Sequence, residues 1–154
     1  MTLQLTSHAF NDGERIPELY TCDGESRSLP LAWTEGPPGT QSYCIICDDP
    51  DAPGGTFSHW AIYNIPADQH MLNESLPTDP LLEGIAQAKN DFGKHGYGPP
   101  CPPERHGKHR YIFRVYALDT AKLDLAREST VPQVEAAAKP HVLEMGELTG
   151  TYAR

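Results

Sequence analysis

Basic residues are scarce in this chain. Twelve Lys and Arg against 21 Asp and Glu leave a net charge of -9 over 154 residues. That deficit excludes nucleic acid and anionic membrane surfaces as general partners, since both require a positively charged face. It leaves room for one anion in a local pocket. Long apolar runs are also missing: none approaches the roughly 18 residues that suggest a membrane span. Met1-Thr2-Leu3-Gln4-Leu5-Thr6 has neither a basic n-region nor an apolar h-region, so a soluble, cytoplasmic protein is expected. There is no G-x-S-x-G elbow, no P-loop and no dinucleotide-binding glycine fingerprint, which removes the commonest hydrolase, nucleotide and NAD chemistries. No repeat, low-complexity tract or linker interrupts the chain, and its length fits a single domain over 1–154.

Cysteines number only four. Cys44-Ile45-Ile46-Cys47 has CxxC spacing but lies in a strand-like run. Residues three apart on a strand face opposite ways, about 10 Å apart, which is beyond disulfide reach. Core packing is therefore expected of both. Cys22 and Cys101 both lie in loops and can meet, although a reducing cytoplasm would disfavour a bond between them.

Proline and glycine are plentiful, at 15 and 13 residues scattered along the chain, and indicate many turns between short strands. Leu3 to Leu5, Leu31 to Trp33, Tyr43 to Cys47, Trp60 to Ile65 and Tyr111 to Leu118 read as strands. The last two are apolar on both faces, as central strands are. Helical signal is confined to the C-terminal part, where Thr130 precedes Val131-Pro132-Gln133-Val134-Glu135 as an N-cap and Pro140 ends the run. A further turn over His141 to Glu144 and a closing strand over Met145 to Tyr152 are expected. The fold class is mainly β: an antiparallel β-sandwich of two sheets with short peripheral and C-terminal helices.

Two polar, Pro/Gly-rich segments adjoin the central strands. One is Asp48-Asp49-Pro50-Asp51-Ala52-Pro53 followed by Ser58-His59-Trp60. The other is Gly96-Tyr97-Gly98-Pro99-Pro100-Cys101-Pro102-Pro103 followed by Gly107-Lys108-His109-Arg110-Tyr111. Rigid loops at strand ends are where small pockets form. Strict alternation places His109, Tyr111, Phe113 and Val115 on one face and Arg110 on the other. It also groups His59, Ala61, Tyr63 and Ile65, with Trp60 opposite them in the core. Gly96, Gly98 and Gly107 would let backbone N–H groups approach an anion.

These segments, in this order, resemble the phosphatidylethanolamine-binding protein family, most closely its short bacterial, Raf-kinase-inhibitor-like branch. The resemblance extends to Tyr20-Thr21-Cys22-Asp23-Gly24, Lys89-Asn90-Asp91-Phe92-Gly93 and Gly150-Thr151-Tyr152, and so covers nearly the whole chain. It implies a β-sandwich with an end pocket for a phosphate or phosphoethanolamine head group, or a small carboxylate. The matching residues are Asp49, Asp51, Pro53, His59, Gly98, Pro99, His109 and Tyr111. It further implies a non-catalytic, regulatory or kinase-inhibitor-like module without cofactor or metal, a possible protein partner such as a kinase, and a homodimer. Glu104-Arg105-His106 departs from the pattern by adding charge to a Gly/Pro loop, and His106 reads as a surface residue.

A phosphate beside ionised carboxylates is repelled by about 4 kcal/mol per like-charge pair at about 4 Å and an effective dielectric near 20. One Asp is therefore expected to orient His59 or His109, leaving Tyr111 and loop N–H groups to hold the anion, with binding that weakens as pH rises. Two other readings compete. The same Asp/His pocket could support general acid/base or metal-assisted hydrolysis, or the chain could be a ligand-independent interaction scaffold.

Overall fold

The computed structural model describes residues 3–154, so the leader reading at Met1 and Thr2 lies outside the described residues. Along the chain come β1 (Leu5–Thr6), a 3-10 turn at Glu18–Tyr20, β2 (Leu31–Trp33), β3 (Ser42–Asp49), β4 (Phe57–Pro66), β5 (Met71–Leu72), β6 (Leu81–Leu82) and β7 (Ile85–Gln87). Then follow β8 (His109–Leu118), α1 (Val131–Ala138), a 3-10 turn at Lys139–His141 and β9 (Val142–Tyr152). The strands form two antiparallel sheets, one of order β1-β2-β5 and one of order β6-β7-β4-β3-β8-β9. The mainly-β, two-sheet architecture inferred from turn spacing is the one observed.

β3 sits at the centre of the larger sheet, and Ser42 through Cys47 are all buried. Tyr43, Ile45 and Cys47 pack with Trp60, Phe113 and Val115 in the main core. Cys44 and Ile46 face the other way, into a second cluster beneath Val131, Val134 and Ala138 of α1. Cys44 and Cys47 are thus free thiols in separate clusters, as alternation requires, and burial pushes both thiols far above their ordinary range.

α1 begins where the cap motif places it: the Thr130 N–H donates to Gln133 Oε1 at 2.9 Å. At Pro140 the helix tightens into its 3-10 turn, and β9 starts directly after it at Val142 rather than Met145. Glu144, expected in a turn, belongs to the strand. β5, β6 and β7 hold only two or three residues each, too few for periodicity to announce them.

Strict alternation fails along β4. Pairing with β3 runs Cys47↔Trp60 and then Asp48↔Ser58, which leaves His59 as an inserted residue. A second insertion lies between Tyr43↔Ile65 and Ile45↔Ile62, where Asn64 adopts a positive φ of 61°. Ala61 and Tyr63 consequently face the α1 side while Ile65 joins the main core. His59 therefore does not share a face with Ala61 and Tyr63. A bulge re-aims the side chain.

Cys22 and Cys101 form a disulfide with Cα atoms 5.4 Å apart, across 79 residues. The expected reducing cytoplasm disfavoured this bond, but it is present in the structure. The neighbouring Cys22 N–H donates to the Pro100 carbonyl at 3.1 Å, fastening the same two loops. In the chain-entropy view, closing a loop of this length stabilises by about 4–5 kcal/mol. Replacing both cysteines by serine should lower the unfolding free energy by a few kcal/mol, read as a reduced urea midpoint with a steeper slope, because the uncrosslinked denatured chain exposes more surface.

Candidate functional site

At one end of the larger sheet, β3, β4 and β8 terminate together around a cavity of about 190 Å³. Its walls are largely apolar, built from Phe57, Phe92, Pro53, Pro102 and Pro103, with Asp49, His59, His109 and Tyr111 as the polar residues. The four polar residues are essentially buried. A buried carboxylate needs partners for its oxygens, and Asp49 has one for each. Its Oδ2 accepts from His109 Nδ1 at 2.6 Å, and its Oδ1 accepts from the Asp51 N–H at 2.8 Å. His109 presents its other nitrogen, Nε2, to His106 Nδ1 at 2.6 Å. One of those two facing nitrogens carries the hydrogen, so Asp49, His109 and His106 form a continuous proton-sharing chain from the buried carboxylate to the surface loop.

His59 is oriented separately. A carbonyl only accepts, so His59 Nδ1 donates to the Gly98 oxygen, 2.8 Å away. This leaves Nε2 with no partner among the described residues. The imidazole lies between the rings of Phe57, Phe92 and Tyr111, with centroids 4.8, 5.6 and 5.2 Å away. Burial lowers the pKa of His59, and outweighs the Gly98 hydrogen bond and the Asp49 charge that pull the other way. Tyr111 is fully buried and its hydroxyl has no partner. Desolvation, reinforced by the Asp49 charge, raises its pKa so far that it remains a donor.

Of the residues matched by the resemblance, Asp49, Pro53, His59, His109 and Tyr111 converge on the cavity. Asp51, Gly98 and Pro99 are not among its lining residues. The Asp51 carboxylate is engaged by Arg110: Nε and Nη2 each donate at 2.9 Å, as does the Arg110 backbone N–H. The Arg110 guanidinium hydrogen bond is the largest of the effects that draw the Asp51 pKa down to about 2. Gly98 acts from behind, its carbonyl holding His59 and its N–H donating to the His59 carbonyl at 2.8 Å. Gly96 likewise gives its N–H to the Ala88 carbonyl at 3.1 Å. The expected cradle of loop N–H groups at Gly96 and Gly98 is therefore absent, because the loop uses those donors internally.

Tyr97, a rim or core residue by sequence, is core. Its hydroxyl donates to the Tyr20 carbonyl at 2.8 Å and its ring meets Trp60 edge-on. Residues not assigned to the site from sequence line it, as Phe92 does, or brace its loop against β4, as Asp91 does through Ser58. Phe92 packs on Gly98, where an added Cβ would come within 2.6 Å of the ring. Asp91 and Ser58 exchange hydrogen bonds, with Ser58 N–H to Asp91 Oδ2 at 2.7 Å and Asp91 N–H to the Ser58 carbonyl at 2.9 Å. The only advance sign of the His106 role was its position three residues before His109. Among the described residues no group of three or more His, Cys, Asp or Glu side chains is placed to hold a metal ion.

A larger cavity, of about 450 Å³, opens on the α1 side between Asp48, Asp91, Glu135 and Arg114. Its three acids face one cation, which makes it a poor anion site. Burial, with Glu135 adding to it, pushes the Asp48 carboxyl up to about 6.

The architecture is that of a β-sandwich carrying a histidine-lined pocket at the end of its larger sheet. The family model for phosphatidylethanolamine-binding protein matches residues 6–153. A UPF0098 protein of Methanothermobacter thermautotrophicus is 48% identical over 153 residues, covering 99% of each chain. One of Aquifex aeolicus is 44% identical over 152 residues, covering 99% of this chain and 89% of the relative. The crystal structure of Escherichia coli YbcL, described as a member of the mammalian PEBP family, superposes with a TM-score of 0.93 at 32% identity, covering 100% of this chain and 99% of that one. The chain belongs to the phosphatidylethanolamine-binding protein family.

Two tests follow from this geometry. Gly98→Ala should destabilise the fold by about 1–3 kcal/mol through overpacking against Phe92, and should disturb the His59 ring resonances in NMR spectra before those of distant residues. Asp48→Asn should stabilise the protein at high pH but not at low pH. The raised folded-state pKa of Asp48 means the folded form binds more protons than the unfolded one between the ordinary carboxylate range and about 6. Its favourable contribution is thus present at low pH and lost as pH rises through about 6. Urea titrations at roughly pH 4 and 8, on either side of that range, should show the asparagine variant gaining only at the higher value.

Proposed function

We propose that the chain binds a small phosphorylated or carboxylate anion in the cavity between β3, β4 and β8, as a regulatory module and not as a catalyst. One observation carries this reading: the buried, unpartnered Tyr111 hydroxyl in the wall of a cavity that also contains His59. An orphaned buried donor is costly, and a ligand oxygen would satisfy it.

A hydrolytic role is less well supported by the same geometry. His109, the residue best placed as a base by its bond to Asp49, has its second nitrogen engaged by His106. Cys101 is disulfide-bonded and Ser58 lines the opposite cavity. Nothing in the names of the related proteins indicates catalysis.

A kinase-type protein partner and a homodimer belong to this reading as proposals, testable by affinity capture and light scattering. No helix among the described residues is long and apolar enough to cross a membrane. A cytoplasmic location stands against the disulfide, and labelling of free thiols in intact cells would decide between them.

The direct test is thermal shift with inorganic phosphate, phosphoethanolamine and acetate. Phosphate-type ligands should raise Tm in a concentration-dependent way. Tyr111→Phe should fold with equal or greater stability, because it removes an unsatisfied buried group, yet lose at least about tenfold in affinity, as expected for a hydrogen bond to a charged group. Unchanged binding by this variant would place the ligand elsewhere.

A further inference from the structure

Pro102 and Pro103 of the cavity wall belong to a stretch of chain, 99–108, that enters no strand or helix. It begins Pro99-Pro100-Cys101-Pro102-Pro103, and only Cys101 of these five residues has a backbone N–H. The segment therefore cannot be held by a ladder of its own donors. Its carbonyls accept what is offered: Pro100 from the Cys22 N–H at 3.1 Å, and Pro102 from Arg154 Nη1 at 3.4 Å. Beyond these bonds the tie is covalent, the Cys22–Cys101 disulfide. Residues 103–108, which follow it, are all exposed.

The two sulfurs of that bond stand in unequal surroundings. Cys101 is exposed and Cys22 half-buried. Arg154 Nη1 lies 3.7 Å from Cys101 Sγ, while Nε of the same guanidinium holds Asp23 and Nη2 faces Glu104. Asp23 follows Cys22 in the chain, and hydrogen bonds from Tyr152 and Arg154 keep it ionised. An approaching thiolate meets a cation at Cys101 and a carboxylate at Cys22. Access and charge select the same sulfur. Cys44 and Cys47 are buried thiols, so exchange is confined to this pair.

We propose that Cys101 is a thiol–disulfide exchange site for a dithiol reductant, and that opening the bond unpins the proline segment and with it one wall of the cavity. A thiolate of the dithiol attacks Cys101 Sγ. The Cys22–Cys101 bond breaks, and its electron pair leaves on Cys22, which takes a proton. The second thiolate of the dithiol then attacks its own sulfur in the mixed disulfide and frees Cys101 beside Arg154. The dithiol becomes a disulfide, and its two electrons and two protons pass to the cysteine pair. An oxidised disulfide of the same class runs the exchange backwards. In the reduced protein the segment keeps only its few hydrogen bonds, and loops tied so lightly open locally at little cost. Thiol redox state then sets whether Pro102 and Pro103 stand against the cavity.

The test treats native protein with dithiothreitol in the absence of denaturant, traps thiols with N-ethylmaleimide and maps them by peptide mass spectrometry. Cys22 and Cys101 should be labelled, Cys44 and Cys47 protected, and the near-UV circular dichroism of the fold retained. Trypsin should cut after Arg105 or Lys108 at least about tenfold faster in the reduced protein than in the oxidised one, because cleavage follows the population of the open form. The bond after Arg114, inside β8, should stay intact in both. A brief pulse of 2-mercaptoethanol quenched in acid should leave its adduct on Cys101. Cys22→Ser should be cut as fast as the reduced wild type, with or without dithiothreitol. No reduction without denaturant, or reduction only together with labelling of Cys44 and Cys47, would make the bond a purely structural one. Equal cleavage of the two forms would show that the segment is held without it, and an adduct on Cys22 would put exchange at the other sulfur. Each of these results overturns the proposal, and the wild-type comparison stands even if the serine variant fails to fold. Movement of the wall is independent of what occupies the cavity, so none of these outcomes touches the anion-binding reading.

Discussion

The site depends on the hydrogen bond between Asp49 and His109. Both residues are buried, and a carboxylate is tolerated there only because each oxygen has a donor. That bond ties the end of β3 to the start of β8. It directs Nε2 of His109 toward His106. The second bond to Asp49, from the Asp51 N–H, shapes the turn that lets Asp51 reach Arg110. A single buried carboxylate therefore fixes a histidine, a turn and, at one remove, a surface ion pair. The exposed part of this network, Asp51 with Arg110, contributes little to stability. Its effect is to neutralise the Asp51 carboxylate, two residues from Asp49, with the Arg110 guanidinium.

Sheet order explains why the two polar segments meet. β3 pairs with both β4 and β8, so residues at its C-terminal end lie beside the start of each neighbour. Asp49, His59 and His109 converge although they are distant in sequence. The inserted residue in β4 completes the arrangement. Without it, alternation would send His59 to the α1 side with Ser58's neighbours, and the cavity would lose its free imidazole.

Much of this was legible in the chain. The long strands follow apolar runs, and opposite burial of Cys44 and Cys47 follows from period-two geometry. The α1 start follows from its cap, and the exclusion of Arg110 from the pocket side follows from alternation. Other features were invisible for physical reasons. A bulge changes which face a residue points to without altering composition, so His59 could be assigned to the pocket only through family resemblance. Whether Gly96 and Gly98 donate to a ligand or to their own loop depends on long-range contacts with Ala88 and His59. Bonding between Cys22 and Cys101 required knowing that two loops 79 residues apart approach within 5.4 Å. His106 looked like a charge added to a Gly/Pro loop, and only the fold shows its ring against His109.

The proline-rich wall has a thermodynamic consequence. Pro53, Pro102 and Pro103 carry no N–H, and Phe57 and Phe92 present only carbon. Water in such a chamber has few partners beyond Tyr111 and His59, so it is poorly anchored and little is lost when it leaves. Occupation of the cavity should therefore carry a negative heat-capacity change larger than a polar head group alone would suggest. A ligand seated there would be drawn in partly by the release of water that the walls cannot hold.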